Sequence, residues 1–252
     1  MEHVRIIPRL DIKGPNVVKG VHAEGLHIVG SPKELAQAYY KSGADELIYL
    51  DIVASLYQRS FDFELLSSVA DSIFIPLTVG GGIRSINDIT NALHAGADKV
   101  AINTHGITNP EFLAEAARKF GAQCIVAFIE AKRTVTGGWE AYTDGGREKT
   151  GVDVLEWVKK VTLMGVGEIL ISSIDQDGTR KGYDHALIKA VMASTTVPVI
   201  AHGGAGNRES ILAVIQECGV PAVSCGTVFH YNDFSIPELK SYLQQNDISI
   251  RS

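Results

Sequence analysis

Short apolar runs closed by glycine alternate along this chain with stretches whose apolar residues recur every three or four positions. The runs predict strands at Arg5–Leu10, Glu46–Asp51, Pro76–Val79, Lys99–Ile102, Cys124–Glu130, Glu168–Ser172, Pro198–Ala201 and Ala222–Cys225. Bounded by Pro and Gly, such runs read as strands buried on both faces of a parallel sheet. Between them, Ser31–Ser42 carries Leu35, Ala36, Tyr39 and Tyr40 at helical spacing, and Asp153–Met164 carries Leu155, Val158 and Val161. Ser31-Pro32-Lys33-Glu34 predicts a capping box with Pro at the first helical position, and Asn109-Pro110-Glu111 and Ser235-Ile236-Pro237-Glu238 read the same way. Gly43, Gly96, Gly121, Gly165 and Gly219 mark helix ends.

Eight strand–helix units in 252 residues predict an α/β protein, a closed (β/α)8 TIM barrel, with an open doubly wound sheet as the alternative. An internal repeat favours the ring. Pro76-Leu77-Thr78-Val79-Gly80-Gly81-Gly82-Ile83 returns as Pro198-Val199-Ile200-Ala201-His202-Gly203-Gly204-Ala205, 122 positions on (76 to 198). Asp11-Ile12-Lys13 returns as Glu130-Ala131-Lys132, and Asn103-Thr104 as Gly226-Thr227. Two half-barrels, roughly residues 1–122 and 123–252, are expected to close as a single domain 1–252 with pseudo-two-fold symmetry. Two long connections, Gly14–Gly30 and Ala131–Gly151, fall at equivalent places on the C-terminal face, where barrel enzymes put their chemistry. The first reads as a mobile lid. The second reads as a small hairpin around Gly137-Gly138.

Composition then removes whole classes of function. At 45% hydrophobic and 21% charged residues the chain is an ordinary globular one, and a net charge of −6 gives no basic footprint for nucleic acid. No apolar run reaches the roughly 18 residues that span a membrane, and Met1-Glu2-His3-Val4-Arg5 lacks a secretory apolar core. Cys124, Cys218 and Cys225 follow no disulfide or metal spacing, which predicts buried free thiols, a cytoplasmic protein and no metal.

The candidate chemistry is doubled like the fold. Asp11 and Glu130 end the first and fifth strands, opposite each other across the barrel mouth. Two carboxylates on one cavity divide acid and base work when their surroundings separate their pKa values. The structural alternative for each is a helix cap or an ion pair with Lys13 or Lys132. Gly82 with Asn103-Thr104, and Gly204 with Gly226-Thr227, predict two phosphate cradles and therefore a substrate phosphorylated at both ends; tight turns are the bland alternative. Arg5, Glu46, Lys99 and Glu168 start strands and, pointing inward, form a charged ring on the N-terminal face. Such a ring is either an ion-pair plug or a gate for something small.

With Leu10-Asp11-Ile12-Lys13, Val18-Lys19-Gly20, Val79-Gly80-Gly81-Gly82-Ile83, Ile102-Asn103-Thr104, Ser173-Ile174-Asp175-Gln176-Asp177-Gly178-Thr179 and His202-Gly203-Gly204-Ala205-Gly206, the chain resembles, over nearly its full length, the cyclase subunit of imidazole glycerol phosphate synthase. The resemblance implies a bisphosphorylated ribulosyl aminoimidazole carboxamide substrate and no cofactor. It implies a glutaminase partner on the N-terminal face that sends ammonia up the barrel past the charged ring. Asp11 and the carboxylate at the end of the fifth strand would be the acid–base pair, and Lys19, Asp51, Asp177 and Gly178 would hold substrate.

Four positions depart from that family. It normally has Asp where this chain has Glu130, a reach longer by about 1.5 Å. It has a small residue where Arg9 stands, a smaller one than Phe128, and Ser or Cys in place of His202. By strand parity Arg9 points the same way as Asp11, so its charge is expected to lower the pKa of Asp11 or Glu130. These departures leave two further readings open. One is a paralogue that passes ammonia to another acceptor, such as a nucleotide sugar in surface-polysaccharide amidation. The other is a non-catalytic scaffold that activates a glutaminase.

Overall fold

The computed structural model describes residues 3–22 and 24–251; Met1, Glu2, Ala23 of the expected lid, and Ser252 lie outside the described residues. The first half runs β1 (Arg5–Lys13), β2 (Asn16–Val21), β3 (Glu24–Gly30), α1 (Pro32–Lys41), β4 (Leu47–Asp51), α2 (Phe63–Ala70), β5 (Leu77–Gly80), α3 (Ile86–His94), β6 (Lys99–Ile102), α4 (Thr104–Thr108) and α5 (Glu111–Phe120). The second runs β7 (Ile125–Arg133), β8 (Trp139–Thr143), β9 (Glu148–Asp153), α6 (Val154–Leu163), β10 (Glu168–Ser173), α7 (His185–Ser194), β11 (Val199–His202), α8 (Arg208–Cys218), β12 (Ala222–Cys225), α9 (Thr227–His230) and α10 (Ile236–Gln245). Parallel pairing in the order β10-β11-β12-β1-β4-β5-β6-β7 is completed by β7 against β10, so the sheet closes on itself. That closure excludes the open sheet.

Burial on both faces is what the apolar runs encode. Inward residues Ile7, Ile48, Leu50, Ala101, Val126, Leu170, Ile200 and Ala222 fill the lumen as one cluster. The outward residues of the same strands, such as Ile6, Tyr49, Val79, Ile129 and Val223, join the larger core beneath the helices. On α6, Trp157, Val158 and Val161 are buried, and Leu155 packs against the core only in part.

The long connections are extensions of the sheet. β2 pairs antiparallel with β1 through Asp11↔Val18 and then with β3. β8 pairs with β7 through Glu130↔Tyr142 and then with β9. The expected lid at Gly14–Gly30 is therefore a hydrogen-bonded hairpin, and Asp11 and Glu130 lie inside strands that continue to Lys13 and Arg133 rather than ending them. His22 fastens the first hairpin. Its N–H donates to the Asp177 carbonyl at 2.9 Å and its Nδ1 lies 2.9 Å from the Ile174 carbonyl.

Three local expectations change. Ser31 precedes α1 with Pro32 in the first turn, but its side chain makes no capping hydrogen bond. The residue capping α5 is Pro110, which has no side-chain acceptor to offer. Ser235 does form the full capping box with Glu238. Among the cysteines, all free, Cys225 is buried but Cys124 and Cys218 are only half-buried.

Candidate active site at the barrel mouth

β1 turns Arg5, Ile7, Arg9 and Asp11 toward the lumen, one above the next. At the top, Asp11 anchors a buried chain of charges. Arg9 Nε donates to Asp11 Oδ1 at 2.7 Å, and Lys19 Nζ, delivered by β2, donates to Asp11 Oδ2 at 3.0 Å. Lys19 Nζ also reaches both carboxylate oxygens of Asp177, at 2.9 and 3.1 Å. His202 Nε2 stands 3.4 Å from Asp177 Oδ1, and its Nδ1 is 3.2 Å from the Ser224 carbonyl. Neither Lys13 nor Lys132 pairs with either acid. Burial alone would raise the pKa of Asp11, but Arg9 and Lys19 outweigh it and hold the carboxyl below its ordinary value. Asp177 is lowered further, with Lys19 and His202 overcoming the same desolvation. Burial first, then the Arg9 charge, lowers the pKa of His202.

Glu130 is also buried, yet its hydrogen bond comes from a neutral amide, Asn103 Nδ2 to Oε2 at 2.7 Å. Burial pushes its pKa up to about 7, and Arg9 offsets that only in part. The expected effect of Arg9 thus prevails at Asp11, whereas at Glu130 Arg9 also acts to lower the pKa but burial outweighs it. Arg9 gives its hydrogen bond to Asp11 and lays its guanidinium over Phe128, 5.4 Å from the ring centroid. Two carboxyl groups on one mouth end with opposite preferences. One is an anion, the other is half-protonated near neutrality.

Both acids line a pocket of about 20 Å³ with Arg9, Lys19, Ser172 and Asp177, room for roughly one water-sized molecule. Arg9 and Glu130 also border a cavity of about 420 Å³ that reaches Asp51, Gly82, Asn103, Thr104 and His105. On the other side, Lys19, Gly178, Thr227, Arg180 and Tyr231 line a third cavity of about 460 Å³ beneath the first hairpin.

The expected cradles fare differently. Gly82, Asn103 and Thr104 do share a cavity, but Asn103 gives its amide to Glu130 and to the Tyr142 carbonyl at 3.1 Å, and Thr104 Oγ1 accepts from the Asp144 N–H at 3.1 Å. Across the barrel, Gly226 precedes α9 as Asn103 precedes α4. Gly204 is explained by packing. At φ +105° a Cβ there would stand 2.0 Å from the Gly182 carbonyl oxygen, whose own N–H donates to the Gly204 carbonyl at 2.8 Å. Asp51 accepts from the N–H groups of Val53 and Ala54 and from Arg59, which shapes the loop below the large cavity. Sequence reasoning missed Ser55, which lines the large cavity, Arg59, which holds Asp51, and Arg180, which lines the third cavity. The length of the connection between β4 and α2, on the C-terminal face, was the signal for the first two. Arg180 reaches its cavity from the loop after β10 and carried no local signal.

The N-terminal face holds the expected ring, and it closes. Arg5 donates to Glu46 at 2.6 Å and Glu168 at 2.5 Å, and Lys99 donates to the second oxygens of the same two acids at 3.0 and 2.9 Å. Glu46 sits one residue before β4, and the other three open their strands. Among the described residues no group of three or more His, Cys, Asp or Glu could hold a metal ion, and no helix is long and apolar enough to cross a membrane.

Residues 5–235 match the family described as "Histidine biosynthesis protein". The "Imidazole glycerol phosphate synthase subunit HisF" of Legionella pneumophila is 57% identical to this chain over 209 residues, covering 83% of this chain and 99% of that protein.

Proposed function

The chain belongs to the histidine biosynthesis protein family, and from its site geometry we propose how it works as the cyclase subunit of imidazole glycerol phosphate synthase. The observation that carries the mechanism is the split of Asp11 and Glu130 into an ionised carboxylate and an acid of pKa about 7 on one small pocket. Asp11 is the base and Glu130 the acid.

Ammonia enters the pocket between them and adds to the bisphosphorylated ribulosyl aminoimidazole carboxamide substrate. Asp11 takes a proton from the nitrogen and Glu130 gives one to the oxygen that must leave. The same pair then serves cleavage, which releases aminoimidazole carboxamide ribotide, and closure of the imidazole ring. Gly82, Asn103 and Thr104 receive one phosphate. Gly178, Gly226 and Thr227 receive the other, with Gly204 supporting their loop from behind. Lys19, Asp51 and Asp177 hold the sugar chain.

The chain works with a glutamine amidotransferase partner. We place that glutaminase on the N-terminal face, over the ring of Arg5, Glu46, Lys99 and Glu168, which acts as the ammonia gate. Support comes from the column of apolar side chains that fills the lumen between the ring and the acid pair, which offers an ammonium ion no solvation and so favours neutral ammonia.

The reading in which ammonia goes to another acceptor rests on Arg9, whose ion pair occupies the proposed base. The scaffold reading is disfavoured by the separated acid pair. Purified protein given the bisphosphorylated ribotide and a high ammonium concentration tests all three. Formation of both products upholds the cyclase mechanism, and binding without turnover sinks it.

A further inference from the structure

We propose that Arg9 binds an oxygen atom at the centre of the substrate and is a specificity-determining residue of this site. The inference rests on the cyclase reading and adds a residue to it. Arg9 is 5% exposed, one inward step below Asp11 on β1. Its Nε is committed to Asp11 and its planar face to Phe128. Its Nη1 is closed to solvent and meets no acceptor among the described residues.

A buried cationic donor left without an acceptor is costly. Asp11, which shares Lys19 with Asp177, takes only the Nε donor of Arg9, and the lumen below Arg9 is apolar. The missing acceptor therefore belongs to a ligand. Arg9 is common to the lining of the large cavity and of the small acid pocket, where the middle of a molecule held by phosphates at both ends would lie.

The chemistry that fits is a carbonyl oxygen on the carbon that ammonia attacks. As the new C–N bond forms, the carbonyl π pair moves onto that oxygen. Asp11 removes a proton from the nitrogen and Glu130 supplies one to the oxygen, and the Nη1 donor stabilises the charge between these transfers. An analogue reduced to a methylene at that carbon loses the contact, which makes Arg9 selective.

Wild-type, Arg9→Met and Arg9→Lys proteins would be compared with ammonium as nitrogen source, with ribotide binding measured by calorimetry and turnover measured separately. Arg9→Met is expected to bind the ribotide at least about tenfold more weakly and to turn it over about a hundredfold more slowly. Its KM for ammonium should change less than about twofold, its melting temperature should fall because Asp11 loses a buried ion-pair partner, and Arg9→Lys should regain part of both losses. Should Arg9→Met fail to fold, Arg9→Lys carries the test with an expected loss of about threefold in ribotide affinity. Ribotide binding and turnover equal to wild type overturn the proposal. So does a lowered ammonium KM with ribotide affinity unchanged, which makes Arg9 a plug in the lumen. Wild-type protein that binds the ribotide without turning it over refutes the cyclase mechanism alone, and weaker binding by Arg9→Met still upholds Arg9 as the contact.

Discussion

Arg9 and Asp11, two residues apart on one strand, are joined by a hydrogen-bonded ion pair of 2.7 Å inside the barrel. Strand geometry puts both on the inward face, so the pair fixes the ionisation of the proposed base before any substrate arrives. Glu130, which shares the pocket but draws its hydrogen bond from an amide, is left to the effect of burial.

A pH–rate profile follows from that asymmetry. At constant free ammonia, kcat/KM should stay flat from the acidic range, because Asp11 titrates below its ordinary value, and should fall as pH rises through about 7, where Glu130 loses its proton. Glu130→Gln should lower kcat by about 10²–10⁴ and erase the alkaline fall. Persistence of that fall in the variant would rule out Glu130 as the acid.

Stability carries the same signature. A carboxyl whose folded pKa lies above its unfolded value favours folding while protonated, and its contribution disappears as pH rises through the folded pKa. With a rise from 4.5 to about 7, wild type should lose about 3 kcal/mol between pH 4.5 and 8 relative to Glu130→Gln. Urea unfolding of both proteins at the two pH values reads the gap; a gap independent of pH contradicts the assigned direction.

Removing Lys99 opens the ring on the N-terminal face. Glu46 and Glu168 then share Arg5 alone, at a cost of about 1–3 kcal/mol, discounted for the 19% exposure of the Lys99 side chain. In the complex, Lys99→Met should depress glutamine-driven turnover more than ammonium-driven turnover. Equal effects on the two assays would reduce the ring to a structural plug.

Gly204→Ala should damage the fold before it touches ligand binding. The added Cβ meets the Gly182 carbonyl oxygen at 2.0 Å, in a backbone conformation that favours glycine. A drop in melting temperature of several degrees is expected without ligand. A variant that melts like wild type but binds phosphate weakly would restore Gly204 to the cradle.

The strands and the hairpin at Ala131–Gly151 were legible because apolar runs and a repeat are properties of neighbouring residues. The partners of Asp11 were less so. Lys19 comes near only because β2 folds back on β1, and Asp177 arrives from the far side of the ring. The rise at Glu130 was not legible because a nearby charge is visible in sequence and desolvation is not. Ser31 shows the limit of cap motifs, since the residue types are right and the hydroxyl is aimed elsewhere. Gly204 shows that a bare backbone after a strand has two explanations, which only Gly182 separates.

The apolar filling of the barrel interior has one further consequence. Ile7, Ile48, Val126, Leu170 and Ile200 are 0% exposed, so no permanent bore runs from floor to mouth. Whatever small molecule travels that way must wait for neighbouring methyl groups to part and close behind it. Passage is then metered by side-chain breathing, and a single added methylene in that column should throttle nitrogen delivery while leaving the chemistry at the top untouched.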